Sequence, residues 1–369
     1  MTTVIVSSVG TSLLSNLELQ PSWRATLGAM ANLRREELDA EQRDLLGSAE
    51  LAARERLEHA DAAEQQRASA ELAVLVPLAA ELRGERVLHW LVHSATEAGG
   101  CAARVLGDHL QREGAMVQLY GVEDLRTTCV DEFKLGMANL ARWSTQTLPA
   151  HRARGDRVIF NVAGGFKTLS GYLQVLGMFH ADETIYTFEG SRELLRVPRL
   201  PVRLVVDEEQ AAALRRVRLS TRQLRADEVD LPESLLLTID GEVGGLSAYG
   251  ELVWDQAVDA GLYTERLLPS PHPRLRYADT LEPSIRGLAA GRLRELNRRI
   301  DQLYLYLDSD GGTNLRGLDV KQLQGTPVPG STHEFDVWHD GATGRGFCHF
   351  EDEGGVRVLV VDRVGAALH

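Results

Sequence analysis

Between Val87 and Phe188 short apolar runs alternate with longer amphipathic ones, and this alternation narrows the fold more than any other feature of the chain. Val87-Leu-His-Trp-Leu-Val, Met116–Tyr120, Arg157–Val162 and Thr184–Phe188 read as strands. Glu97–Gln111, Glu132–Ala153 and Phe166–Phe179 between them read as helices. Parallel strands need a crossover of about a dozen residues or more, so this order predicts a mainly parallel, doubly wound α/β sheet. Val4-Ile-Val-Ser-Ser adds a buried strand at the start. Ligands of such sheets bind outside the carboxyl ends of the strands. The polar loops after Val6 and after Val162 fall there.

The flanking segments differ. Residues from about Asn32 to Ala80 are rich in Ala, Leu, Glu and Arg, with no proline before Pro77. They read as an elongated helical insertion, expected to be a solvated helical hairpin. After Pro201 the character changes: Arg215, Arg216, Arg218, Arg222 and Arg225 crowd one short stretch. Leu231–Thr280 then holds short helix candidates, with Arg274-Leu-Arg-Tyr as a strand, the makings of a small winged-helix-like connector. From Ile285 the apolar positions Ile285, Ala289, Leu293, Leu296, Ile300, Leu303 and Leu307 are spaced as one face of a helix. Gly311-Gly312 ends it. His333-Glu-Phe-Asp-Val-Trp, Arg345-Gly-Phe-Cys-His-Phe and Arg357-Val-Leu-Val-Val follow as strands. The connectors His339-Asp-Gly-Ala and Asp352-Glu-Gly-Gly have hairpin composition. A chain of 369 residues exceeds what one core usually serves. The expected domains are an α/β domain over 1–205, the connector over 206–284 and an α+β domain over 285–369.

Composition excludes some functions. A formal net charge of −13 opposes coating of naked nucleic acid, so any RNA or nucleotide contact must be local. Cys101, Cys129 and Cys348 are far apart and lack zinc or disulfide spacing, so no metal and a reducing compartment are expected. The opening Met1-Thr-Thr-Val-Ile-Val lacks a basic n-region, and no run approaches a membrane span. A cytoplasmic protein without membrane contact is the expectation.

Two loops carry chemistry in the first domain: Ser8-Val-Gly10-Thr11-Ser12, and Asn161-Val-Ala-Gly164-Gly165-Phe166-Lys167-Thr168. Glycine after a strand permits close backbone approach, and the following helix start offers unpaired N–H groups to a phosphate. Lys167 adds a cation; the hydroxyls of Thr11, Ser12 and Thr168 can bond phosphate or ribose. Ser94-Ala-Thr96-Glu97 caps the next helix on the same sheet edge. Neither the dinucleotide fingerprint GxGxxG nor the P-loop GxxxxGK[ST] is present. Taken alone, Gly-Gly-Phe-Lys also describes a plain strand-to-helix turn with an exposed lysine.

Together these pieces resemble the CRISPR-associated Rossmann-fold (CARF) sensor family, in particular its group with an early helical insertion. The resemblance rests on Ser8-Val-Gly-Thr-Ser-Leu-Leu, Ser69-Ala-Glu-Leu, Ser94–Glu97 and Asn161-Val-Ala-Gly-Gly-Phe-Lys-Thr. Tyr186-Thr-Phe-Glu189 and Pro198-Arg-Leu-Pro201 add to it, and it covers about the first 205 residues. It implies a Rossmann-like homodimer that binds a cyclic oligoadenylate, taken here as cyclic tetra-adenylate, across its two-fold axis. The ligand would control a fused effector. It also implies Gly10, Thr11, Ser12, Ser94, Thr96, Asn161, Gly164, Gly165, Phe166, Lys167 and Thr168 as ligand residues.

The last domain has no paired carboxylates at useful spacing, but it has Lys321, His333, Arg345, His349, Arg363 and His369. Metal-free RNA cleavage needs a base for the 2′-OH, cations for the crowded phosphate and an acid for the leaving oxygen. The same residues equally describe the polar surface of a small sheet. The order of helix, Gly-rich break, Leu318-Asp-Val-Lys321-Gln-Leu, Thr332-His-Glu-Phe, Gly344-Arg345-Gly-Phe and Val358-Leu-Val-Val-Asp-Arg363 resembles the RelE family of toxins. Those toxins are ribosome-dependent mRNA interferases. By that resemblance Lys321, Arg345 and Arg363 take catalytic places, with His333 and His349 beside them. The segment before the strands holds one lysine where related toxins have several, and no tyrosine follows Arg363. The base is then an imidazole or Lys321.

The joint implication is a type III CRISPR ancillary effector that needs no cofactor and cuts mRNA on the ribosome once cyclic oligoadenylate binds. Two alternatives stand beside it. One is a transcription regulator whose connector binds DNA through Arg215–Arg225; the other is a ring nuclease that degrades the signal itself.

Overall fold

The computed structural model describes residues 2–16, 21–187, 193–202, 204–220, 223–325 and 327–367. They form two compact units: Met1–Arg203 with Ser247–Leu252, and Leu204–Leu246 with Val253–His369.

The first unit is built on β1 (Thr3–Val9), β2 (Val87–Ser94), β3 (Met116–Val122), β4 (Arg157–Asn161), β5 (Glu183–Thr187) and β6 (Leu194–Pro198). They lie in the order β3-β2-β1-β4-β5-β6. Strands β1 to β5 are parallel, as the alternation predicts, and β6 closes one edge antiparallel to β5. Every residue of β1 is buried, which suits the β-branched Val4-Ile-Val of a central strand covered on both faces. The order reverses direction at β1: β2 and β3 lie on one side, β4 and β5 on the other. This switch point sets the loops after β1 and β4 side by side.

Helices α1 (Ser12–Ser15), α2 (Pro21–Ala29), α3 (Ala40–His59), α4 (Ala62–Ala68) and α5 (Ala70–Glu81) join β1 to β2. Asp39, Asp61 and Ser69 cap α3, α4 and α5 by accepting a backbone N–H from the first turn. The expected solvated hairpin is corrected here. Leu46, Ala49, Ala53 and Leu57 form a buried stripe along α3 at three- and four-residue spacing, hidden in sequence by the many charges between them. α5 buries Leu72, Val74, Leu75 and Leu78 in the core that also holds Ile5 and Ile159. α6 (Glu97–Arg112), α7 (Val130–Ala153) and α8 (Lys167–His180) complete the layers. The strand expected over Thr184–Phe188 is β5 as far as it is described; Phe188 and Glu189 lie outside the described residues.

The second unit opens with α9 (Glu208–Leu219) and a small antiparallel sheet of β7 (Leu224–Arg225), β8 (Leu236–Ile239) and β9 (Glu242–Leu246), ordered β7-β9-β8. α10 (Ala248–Asp259), which belongs to this unit only from Val253, β10 (Leu275–Tyr277), α11 (Leu281–Ile285) and α12 (Ala290–Asp308) follow. Then come β11 (Lys321–Gln322), β12 (His333–His339), β13 (Thr343–Glu353) and β14 (Val356–Ala366). The larger sheet runs β10-β14-β13-β12-β11, with β10 parallel to β14 and the other pairs antiparallel. Gly354-Gly355 turn the β13–β14 hairpin with φ of 63° and 86°, the left-handed pair such a two-residue loop requires. Leu296, Ile300, Leu303 and Leu307 of α12 form one core with Phe335, Cys348, Leu359 and Val361 of the sheet.

Two expectations change here. The long helix starts at Ala290 rather than Ile285, because Gly287 at φ 80° breaks the run after α11. The strand assigned to the connector, β10, is an edge of the C-terminal sheet. The compact division has no boundary near residue 284, and the reason is chemical. Arg215 of α9 pairs with Asp301 of α12 at 2.6 Å and donates to the Pro269 carbonyl at 2.6 Å. Asn297 of α12, fully buried, accepts from Leu268 N–H and donates to the carbonyls of Tyr263 and Arg266.

Candidate functional sites

At the switch point the two loops touch. A Cβ on Gly10 would lie 2.8 Å from the Gly165 nitrogen, so only glycine lets them pack this closely. Ser8 donates to the Gly164 carbonyl at 2.7 Å, and Gly165 takes φ 80° to turn into α8. α8 then begins at Lys167 behind Phe166, with no capping side chain and no acidic residue in its first turn. Its leading N–H groups are unpaired and carry the positive end of the helix dipole. Lys167 and Thr168 are exposed there, and Lys167 forms no ion pair among the described residues. Thr11, beside them, makes no capping bond with its side chain. The close approach of Gly10 to Gly165 sets the Thr11 loop beside the start of α8, whose backbone N–H groups, with Thr168 and Lys167, are of the kind that seat a phosphate or similar anion.

The remaining sequence candidates hold the loops together. Gly10 N–H donates to Glu71 Oε1 at 2.7 Å, and the Ser12 hydroxyl donates to Glu71 Oε2 at 3.3 Å. Asn161 is fully buried; its amide donates to the Glu71 carbonyl at 3.3 Å and accepts from Ala163 N–H at 3.2 Å. Gly164 has no room for a side chain against the Glu71 carboxylate and the Ser8 carbonyl. Thr96 is a buried cap for α6, taking Gly99 N–H at 3.1 Å and bonding Ser94 at 2.8 Å. Phe166 packs edge-on to Phe133, 5.8 Å between centroids. Glu71 is the residue that sequence reasoning missed. Its only trace is the Ser69-Ala-Glu-Leu run, where a glutamate in a first helical turn reads as a dipole partner.

In the second unit, residues opposite one another in a ladder share a face. Lys321 lies opposite Glu334, Glu334 opposite Phe347, and Phe347 opposite Arg363. Arg345 and His349 are each two residues from Phe347, so Lys321, Arg345, His349 and Arg363 share the face away from α12. His333 does not: it lies opposite buried Cys348 and meets Phe350 edge-on at 4.9 Å, on the helix-covered face. Burial, with Arg357 nearby, holds its pKa below the ordinary imidazole value. His369 lies outside the described residues.

That shared face is balanced in charge. Lys321 donates to Asp319 at 2.8 Å and sits 3.7 Å from Glu334. Arg345 is half-buried in an ion pair with Asp336, which His339 also contacts at 3.1 Å. Arg363 is exposed and has no ion-pair partner among the described residues. His349 sits between two carboxylates, Nδ1 at 2.8 Å from Asp362 and Nε2 at 3.2 Å from Glu351. Ser331 donates to the other oxygen of Asp362 at 2.6 Å. The aspartate rather than the histidine stands in the middle, so this is no nucleophilic triad. Burial pulls the His349 pKa down, but the Glu351 bond and the Asp362 charge outweigh it and leave it raised.

A group whose pKa is raised on folding stabilises most when fully charged, below its unfolded value near 6.5, and loses that contribution as pH climbs through the folded value. The stability gap between the parent and His349→Asn is therefore expected to be widest near pH 6 and to shrink at alkaline pH. Melting curves across pH read this directly. A gap that grows with pH would contradict the charged-imidazole assignment.

The basic cluster of the connector is largely tied up within the protein. Arg215 is buried on Asp301, Arg216 donates to the Glu228 carbonyl, Arg218 lies over Trp254 and Arg225 pairs with Asp227. Arg222 lies outside the described residues. Among the described residues no three His, Cys, Asp or Glu are grouped to hold a metal, and no helix is long and apolar enough to cross a membrane.

Fold and first site together define a doubly wound α/β sheet with an anion-seeking helix terminus at its switch point. Residues 66–200 match the model of a family described as CRISPR-associated protein (Cas_APE2256). The matched stretch runs from the end of α4 to just past β6, taking in Glu71 and the whole β4–α8 loop. It makes this part of the chain similar to CRISPR-associated proteins and reaches no residue of the second unit. No curated protein matches the chain.

Proposed function

We propose that this protein is an ancillary effector of type III CRISPR defence, a CARF–RelE ribonuclease switched on by a cyclic oligoadenylate. The observation that carries the reading is the uncapped start of α8 at the switch point, which opens with exposed Lys167 and Thr168 next to the loop of Gly10 and Thr11. The match to CRISPR-associated proteins supports the same half of the chain. A two-fold homodimer would present this seat twice, which suits the repeated phosphates of cyclic tetra-adenylate.

In the second unit His349 is the proton donor to the leaving 5′-oxygen, because two carboxylates favour the charged form of its ring. Arg363, the free cation of that face, meets the phosphate. Lys321 stands beside it as a second cation; Arg345 acts through Asp336, and His333 is structural. Acids match most cations on this face, so it offers little net positive charge to hold a free RNA strand. A translating ribosome would have to present the mRNA, aligned for in-line attack.

Arg363→Ala tests the nuclease half. Losing one charge-stabilising donor is expected to lower the cleavage rate by about 10²-fold or more while ligand affinity stays the same. Undiminished cleavage would remove Arg363 from the site. Arg345→Ala is a different experiment: it strands the buried Asp336 carboxylate, and the expected loss is about 2–3 kcal/mol of stability in urea. A variant as stable as the parent would show that the pair is not structural.

A further inference from the structure

Glu71 lies directly beneath the anion seat, and nothing in the proposed function accounts for it. It is 1% exposed, it is carried in by the first turn of α5, and its carboxylate meets both loops. Oε1 takes the Gly10 N–H at 2.7 Å and presses on Gly164; Oε2 takes the Ser12 hydroxyl at 3.3 Å. Its own carbonyl holds Asn161 at the end of β4. One acidic side chain therefore occupies donors that an anionic ligand would otherwise use.

We infer that Glu71 is the positioning residue of the seat, holding the Gly10 loop against the Gly164–Gly165 turn, and that an anionic ligand is bound over it together with a proton. The second half rests on the cyclic-oligoadenylate reading; the first does not. An anion bound beside a buried carboxylate repels it, and protonation of the carboxyl relieves the repulsion, with solvent supplying the proton. Burial already pushes this carboxyl above the usual range, and the bonds from Gly10, its own N–H, Ser69 and Ser12 offset that only in part.

Charged neighbours that could do this instead are few. β1 has no titratable group. On α4, Glu64 is tied to the Asp61 cap, and Arg67 sits at the helix end. Arg157 of β4, Glu183 of β5 and Arg196 of β6 bond one another and Glu81. Glu81 is the last residue of α5, about 15 Å along the helix from Glu71. Tyr186 lies on β5. Lys167 alone opens α8, and its charge attracts an anion.

The test uses the full chain, cyclic tetra-adenylate as probe, and calorimetry at one pH in two buffers of different ionisation heat. The parent is expected to take up as much as one proton per seat, with affinity rising as much as tenfold per unit of falling pH. Glu71→Gln, of the same shape but without a titrating proton, is expected to bind with no uptake. Equal uptake in both proteins, or binding without uptake in the parent, overturns the proton-coupled half. If neither protein binds the probe, the oligoadenylate reading fails and the coupling falls with it. The positioning half is read without ligand, from hydrogen exchange of the Gly10 amide. Glu71→Ala should speed it at least tenfold, and an unchanged rate overturns the positioning role.

Discussion

Lys167→Ala is expected to weaken cyclic tetra-adenylate binding about 10- to 150-fold per seat and to leave the fold untouched. Lys167 stands at the open start of α8, exposed and without an ion-pair partner among the described residues, so folding makes little use of its charge. A charge-assisted bond to phosphate contributes about 1.5–3 kcal/mol, which sets the range. In a two-fold dimer each ligand would lose two such bonds. Stability should shift by no more than about 0.5 kcal/mol, as for other surface changes. Calorimetric titration beside a urea melt separates the two effects. Parent-like affinity would take Lys167 out of the seat.

Asp301→Ala is expected to destabilise the second unit by about 3–5 kcal/mol, the largest single loss anticipated in the chain. Asp301 is the counter-charge of Arg215, a guanidinium only 5% exposed, and it also accepts the Tyr263 hydroxyl. Truncation leaves a buried cation without compensation, which is the damaging way to break such a pair. Asp301→Asn keeps the hydrogen-bonding shape and loses only the charge, so it should fall between the two. Because the pair links α9 to α12, the loss should appear in one transition covering both the connector and the C-terminal sheet. A change under about 1 kcal/mol, or separate melting of those two parts, would contradict this.

The sheet of the first unit was legible because its strands are short β-branched runs separated by helix-length polar ones. The β6 edge was not: Leu194–Pro198 contains Arg196 and Pro198, and an edge strand tolerates both without leaving an alternating pattern. The burial of α3 and α5 was hidden by charges that occupy only their outer faces. Where the two loops meet, the glycines that let them pack could be read from the loops alone. Glu71 could not, since its role exists only once α5 folds back under β1. The ion pair of Arg345 with Asp336 depends on the register of the β12–β13 hairpin, which is irregular between Asp336 and Trp338. Local composition shows two charged residues on adjacent strands; the bulge decides which of them meet.

The most direct measurement of the central claim is mRNA cleavage mapped by primer extension in a reconstituted translation reaction. The protein is present throughout, with and without cyclic tetra-adenylate, and with and without ribosomes. Cuts within the translated frame are expected only when ligand and translating ribosomes are both present. Cleavage that ignores the ligand, or equal cleavage of free mRNA, would contradict a signal-gated, ribosome-dependent ribonuclease.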